Sequence, residues 1–226
     1  MKKMLKIFMG TVLLALSFAV SALALPYPVV QGNSVTMLSN DTAAQYEGHY
    51  QYKVGSGSTV FGAFCLELNE YFTPGSSYKV SNIASYAENG GVGGAVNGRD
   101  DLSDATKWLF YHFLNKDILA VTGNAENDYS LQLAFWKLEG ELETASSYRT
   151  DFMKNTVAQD YYNDALASGS AGASYDVMAM NLVDRNGKFA QSQLVGAAPV
   201  PEPGTMMLLG FGMLGLAVYG KRRMNK

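Results

Sequence analysis

The chain has 226 residues, with 17 lysines and arginines against 20 acids and a net charge of −3. That balance excludes a protein that holds nucleic acid by neutralising phosphates. A hydrophobic content of 48% with only 16% charged residues excludes a disordered chain, and a single cysteine excludes a disulfide framework.

The N-terminus carries Lys2, Lys3 and Lys6, then an apolar run over residues 7–20, then the small-x-small step Ala22-Leu23-Ala24. This is the grammar of an export signal, residues 1–24, cleaved after Ala24. Residues 25–199 remain for one domain with a sizeable core. They hold ten lysines and arginines (17 less three in the signal and four in the tail) against nineteen acids (20 less Glu202), a net of about minus nine. Such a surface repels nucleic acid and anionic lipid heads.

Strands are expected first, in "SVTML" (34–38), "QYEGHYQYKV" (45–54) and "STVFGAFCLEL" (58–68), which are rich in aromatic and β-branched residues and separated by Gly-Ser pairs. After Pro74-Gly75 comes "ENGGVGGAVNG", which reads as a flexible loop. "SDATKWLFYHFL" then aligns Ala105, Trp108, Leu109, His112 and Phe113 on one helical face, with Ser103 or Asp101 as cap. "DYSLQLAFWKLEGE" does the same for Tyr129, Gln132, Leu133 and Trp136, capped by Asp128. A third helix is expected over 147–167, stopped by Gly169. Two more strands, "YDVMAMNLV" and "KFAQSQLV", flank Asp184-Arg185-Asn186-Gly187, a hairpin signal. The expected class is α+β, with antiparallel sheet or barrel elements at both ends of the domain, about three helices inserted between them, and a C-terminal single transmembrane helix.

That last helix is the apolar run 204–220, which carries no charge and spans roughly 25 Å as a helix, near the lower limit for crossing a bilayer. Lys221, Arg222, Arg223 and Lys226 follow it and place the end in the cytoplasm. Pro201 and Pro203 break any helix ahead of it.

Most catalytic templates are missing. The glycine stretch has neither a P-loop ending nor a dinucleotide fingerprint, and no Gly-x-Ser-x-Gly elbow occurs. His49 and His112 with one cysteine give no zinc spacing. His112 reads as a half-buried packing residue and His49 as an exposed strand residue. Asp100, Asp101 and Asp104 lack the periodicity of a calcium loop and are better explained by helix capping. No metal, cofactor or enzymatic turnover is expected. Two oddities remain. Cys65 is a lone cysteine in an exported chain, and Gln132 points a carboxamide toward the core, where it must find a partner.

Two resemblances bear on these features. Pro201, Glu202 and Pro203, followed by a short Gly-rich apolar helix and an Arg-rich end, resemble the PEP-CTERM sorting signal of Gram-negative bacteria over residues 200–226. The resemblance implies recognition by exosortase, a membrane protease-transpeptidase, an inner-membrane intermediate held by the C-terminal helix, and a final location at the cell surface or outside the cell. "FCLELNEYFTPG" and "LQLAFW" together resemble the thioester domain of bacterial surface adhesins, which pairs an aromatic-cysteine motif with a Gln-x-Ala-apolar-Trp motif. Carried onto this chain, Cys65 would be the thiol and Gln132 the acyl partner, with Phe64, Leu66, Phe135 and Trp136 shielding the bond. Leu131 stands where Thr is frequent, Phe135 where Ile is commoner, and Glu67-Leu68-Asn69 loosens the segment after the cysteine. The expected function is then covalent adhesion to surface amines. The alternative is a structural or polysaccharide-contacting matrix protein in which Cys65 is unreactive. A Cys65-His hydrolase finds no support in the spacing of the histidines.

Overall fold

A computed structural model describes residues 27–197 apart from 39–48, 94, 116–124 and 144–145, together with residues 210, 212 and 213. Among the described residues eight strands and four α-helices follow in the order strands, helices, strands. The strands are β1 Ser34–Met37, β2 Tyr50–Val54, β3 Val60–Ala63, β4 Ser77–Ala84, β5 Tyr86–Glu88, β6 Arg99–Asp101, β7 Val177–Val183 and β8 Phe189–Gly196. The helices are α1 Asp104–Asn115, α2 Ala125–Leu138, α3 Ser146–Lys154 and α4 Thr156–Ser168.

Six strands make one antiparallel sheet in the order β3-β2-β1-β4-β7-β8, so chain-terminal β7 and β8 join the N-terminal strands as the α+β expectation requires. The sheet then closes on itself. Beyond β3, the Leu66 N–H donates to the Ser192 carbonyl at 3.1 Å and the Leu194 N–H to the Phe64 carbonyl at 2.8 Å, which joins the β3 end to β8. Closure leaves neither edge open there. β5 and β6 form a separate two-stranded ribbon.

β7 and β8 turn through Asp184-Arg185-Asn186-Gly187 as expected: Gly187 takes φ 77°, which suits glycine, and its N–H reaches the Asp184 carbonyl at 3.0 Å. A register shift in β7 between Met180 and Leu182 lies beside Asn181, which is fully buried. Its amide is satisfied on both ends: Nδ2 donates to Asn82 Oδ1 and the Tyr86 carbonyl, and Oδ1 accepts from the Glu88 N–H and Ser192 Oγ. A buried polar residue bonded in this way fixes the register of β8 against its neighbours.

Several expectations need correction. The helix expected over 147–167 is two helices, because Asn155 leaves the helical region (φ −97°, ψ 97°) and its side chain accepts from the Ala158 N–H to cap α4. Asp128 lies inside α2 rather than at its cap. Of the two caps expected for α1, Ser103 is the one observed: its Oγ accepts from the Thr106 N–H at 3.1 Å. The first half of the glycine stretch is packed rather than a free loop, while residues 95–98 are exposed: a Cβ on Gly93 would come within 2.5 Å of the Gly140 carbonyl oxygen, and one on Gly91 within 2.1 Å of the Glu141 carboxylate.

Two hydrophobic clusters form the core, and α2 contributes to both, Leu133 and Trp136 to the first and Leu131, Ala134 and Phe135 to the second. Every residue of α2 from Ser130 to Trp136 is buried, so it is a central helix and not a surface one. The described residues from 27 to 197 belong to one compact unit. The signal 1–24, Pro201, Glu202, Pro203 and nearly all of the 204–220 run lie outside the described residues. Among the described residues no helix is long and apolar enough to cross a membrane.

Candidate functional site

Cys65 sits where the extension of β3 meets β8, and it is 2% exposed. The two hydrogen bonds that flank it make Cys65 and Gln193 a directly opposed antiparallel pair of the wide, non-hydrogen-bonded kind. In such a pair the side chains stand on the same face with Cβ atoms about 4.5–5.5 Å apart. Gln193 accordingly brings its Nε2 to 3.4 Å from the Cys65 sulfur. Its Oε1 is buried and has no hydrogen-bond partner among the described residues.

A wide pair also turns the N–H and C=O of Cys65 away from β8. Gln132 meets both. Its Oε1 accepts from the Cys65 N–H at 2.9 Å and its Nε2 donates to the Cys65 carbonyl at 2.8 Å. Sequence reasoning placed Gln132 at Cys65, and the structure brings the two together. The carboxamide of Gln132, however, is held by the cysteine main chain, while the one against the sulfur belongs to Gln193, which sequence reasoning missed. The signal was faint: Gln191, Ser192 and Gln193 are polar residues in the middle of a strand, and all three are buried.

The four residues expected to shield the bond are all buried, Phe64 and Phe135 completely and Leu66 and Trp136 at 3% exposure. They divide between the clusters. Trp136 packs in the same cluster as Cys65, whereas Phe64, Leu66 and Phe135 form the second cluster behind it, because residues 64 and 66 face opposite to 65 along an extended chain. Tyr52, also in the cysteine's cluster, is wholly buried, and its hydroxyl and the Trp136 Nε1 find no hydrogen-bond partner among the described residues. Burial, and then the proximity of Cys65, hold the Tyr52 phenol well above its ordinary pKa, so it stays a proton donor.

Three carboxyls near the site, Glu67, Glu139 and Glu141, are buried, and Asp100 beside them is half-buried. Glu67 is 1% exposed; its Oε2 accepts from the Ser192 N–H at 3.1 Å, its Oε1 has no partner among the described residues, and desolvation raises its pKa well above the carboxylate range. Glu141 ties three segments together by accepting from the Leu68 N–H at 2.7 Å and the Gly93 N–H at 2.9 Å. Desolvation raises Asp100 to about 7 and pushes Glu139 upward as well. Among the described residues no cluster of three acids, histidines or cysteines is arranged to hold a metal ion.

His49 is half-buried rather than exposed. It lies over Gly62, where a Cβ would sit 1.7 Å from its Nε2, and stacks on Phe64 at 5.5 Å. Burial lowers its pKa and raises that of its neighbour Asp128 to about 6. His112 packs among Trp108, Tyr111 and Tyr175, in keeping with a packing role.

Residues 199–223 match the family model of the PEP-CTERM protein-sorting motif. The C-terminal tail carries a PEP-CTERM sorting signal. The motif implies an exported chain that exosortase processes and directs to the cell surface. No curated protein matches the chain. A solved structure similar to it is the N-terminal thioester domain of fibronectin-binding protein SfbI from Streptococcus pyogenes, with 13% identity and a TM-score of 0.41 over 79% of this chain and 95% of that one. At that distance the chemistry of this chain rests on the surroundings of Cys65 alone.

Proposed function

We propose that the exported domain is a single-use covalent adhesion module whose reactive group is an internal thioester between Cys65 and Gln193. The observation that carries this reading is the Gln193 carboxamide against the Cys65 sulfur across a wide strand pair. The carbonyl carbon, Cδ, is one bond behind the nitrogen at 3.4 Å. In bond formation the sulfur attacks Cδ, an S–C bond forms, the C–N bond breaks, and the thiol proton leaves with the nitrogen as ammonia. An incoming primary amine reverses the exchange: a C–N bond forms, the C–S bond breaks, the sulfur regains a proton, and the target is held by an amide.

Gln132 supports this step without taking part in it. By bonding both main-chain groups of Cys65 it fixes the attacking sulfur's position. Trp136 on one side and the second cluster on the other keep water from the bond, which an acyl electrophile needs to survive. The wholly buried hydroxyl of Tyr52 is a donor suited to the oxygen that gains charge during attack.

In this reading the tail acts earlier. The run 204–220 and its basic end hold the chain in the membrane until exosortase cuts near Pro201-Glu202-Pro203, and the released domain then works at the cell envelope or in the matrix. Alanine in place of Pro201 and Glu202 leaves an uncut precursor in the membrane fraction.

The test of the chemistry is the mass of the exported wild-type chain before and after methylamine, followed by a peptide map. The expected chain is one ammonia lighter than its sequence and takes up one methylamine, with the N-methyl amide found on Gln193. The mark on Gln132 would assign the bond to that residue instead, and a chain of full mass would leave Cys65 as a packing residue.

A further inference from the structure

A second feature lies away from the sulfur. An open groove of about 1020 Å³ runs between the segment after Cys65 and the β7–β8 turn. That volume is at the upper end of the range for ligand clefts. Tyr71 lines it and is 82% exposed, the highest value among the described large apolar and aromatic side chains; Phe189, across the groove, is 48% exposed. An exposed aromatic ring in a groove is a platform without a partner.

The rest of the lining is polar and uncharged in sum. Asn69, Asn89 and Asn186 present amides, which both donate and accept, and Thr73, Ser76 and Ser77 present hydroxyls. Glu70 and Asp184 balance Arg185 and Lys188, so no single sign of charge dominates. One wall is held in an unfavourable backbone conformation. Asn89 has φ 67°, in the left-handed region, and is fixed there by its N–H to the Gly98 carbonyl and its Nδ2 to Glu70 Oε1, each at 2.8 Å.

We propose that this groove binds an uncharged polysaccharide, with sugar rings stacked on Tyr71 and Phe189 and their hydroxyls bonded by the asparagine side chains. A neutral polymer fits because the lining offers paired donors and acceptors with cancelling charges. A peptide fits less well: among the described lining residues Ala190 is the one apolar side chain besides the rings of Tyr71, Tyr78 and Phe189, so a peptide's apolar anchor finds no pocket there. Asn69 is four residues from Cys65 and Ala190 three from Gln193, about 10–13 Å of extended chain, so the bound polymer lies alongside the covalent site. The proposal does not depend on the thioester.

The test uses the full exported chain with Cys65→Ala, so that nothing is captured covalently. It is run by native affinity electrophoresis in gels containing hydroxyethyl cellulose, laminarin or dextran, with alginate as the anionic polymer and an unstructured casein peptide mixture as the peptide competitor. Retardation in at least one neutral gel is expected, weakened roughly tenfold by Tyr71→Ala, as loss of one aromatic contact implies. Asn69→Ala weakens it too, while Val60→Ala, an exposed residue outside the groove, leaves it unchanged. Tyr71 is exposed, so its variant keeps the parent's melting temperature. Mobility unaffected by every neutral polymer, retardation by alginate alone, displacement by casein peptides, or a Tyr71→Ala chain equal to its parent would each overturn the proposal. None of these outcomes alters the ammonia-loss measurement, so the two readings fail separately.

Discussion

If the proposed thioester forms, opening it with methylamine removes a crosslink and alters only the two side chains that made the bond, Cys65 and Gln193, and this makes its thermal effect calculable. The residues joined are 128 apart in sequence. Closing a loop of that length restricts the unfolded chain by about 5 kcal/mol at 25 °C on the chain-entropy relation. For a domain of this size each kcal/mol moves the melting temperature by about 2–4 °C, so amine opening lowers it by roughly 10–20 °C. The assay is a thermal melt of the exported chain before and after methylamine, monitored by circular dichroism, beside Cys65→Ala and Gln193→Ala. Both variants lack the amine-dependent drop. A bond to Gln132 would close 67 residues and give about 4 kcal/mol, too near to separate by melting, which is why the position of the methyl mark decides between the residues. A wild-type chain that melts at the same temperature with and without amine would refute the crosslink.

Gln132→Ala leaves the N–H and C=O of Cys65 buried and unbonded, at about 1–3 kcal/mol each, and slows bond closure while leaving its product on Gln193; the checks are urea unfolding and the peptide map. Tyr52→Phe removes a buried hydroxyl without a described partner, so it leaves stability unchanged or raises it, yet slows methylamine uptake; unchanged uptake would assign the hydroxyl no role in the reaction. Stability should fall as pH rises from about 4 through about 7. Glu67, Glu139 and Asp100 have folded pKa values raised by burial, so in that window the folded chain binds more protons than the unfolded one, and the stability they contribute is present below the unfolded pKa and lost above the folded one. Asp128 acts in the same direction, His49 with its lowered pKa opposes the trend inside the window, and Asp184 and Glu143, held low, act at its acid end. Urea midpoints at pH 5 and pH 8 measure the trend, and Glu67→Gln flattens it; a midpoint that rises with pH would contradict it. Gly93→Ala drives a Cβ into the Gly140 carbonyl and costs about 1–3 kcal/mol, read as a lower urea midpoint.

The parts of the fold legible in sequence were those with local causes. The Asn-Gly turn and the Ser103 cap each depend on a few adjacent residues, and both hold; the expected face of α1 holds at Ala105, Leu109 and Phe113, while Thr106 and Phe110 are buried in place of Trp108 and His112, which are half-buried. β4 escaped notice because "SYKVSNIA" alternates weakly, and its place between β1 and β7 comes from long-range pairing and a register shift at Ser81. Asn155 was hidden for a related reason. The apolar spacing of α3 and α4 runs almost in phase across it, and only the choice of its side chain to bond the Ala158 N–H rather than water breaks the helix.

The site divides along the same line. Cys65 and Gln132 stand out singly, one as a lone cysteine and one as an amide on an apolar helix face, so a sequence can nominate both. Gln193 cannot be nominated that way, because its meaning depends on which residue stands opposite it. A shift of one residue in the pairing of β8 would turn Gln193 to the other face and set Ser192 or Leu194 against the sulfur. What prevents the shift is remote from the cysteine: the buried Asn181 bonding Ser192 Oγ, Glu67 accepting the Ser192 N–H, and the Phe64 and Leu66 bonds that flank the pair. The same polar groups that look costly in the core therefore have a common effect, which is to hold one carboxamide against one sulfur. A substitution such as Asn181→Leu, which keeps volume but releases Ser192, should lower the yield of the ammonia-light chain more than it lowers stability. Equal loss of both would reduce Asn181 to a packing residue.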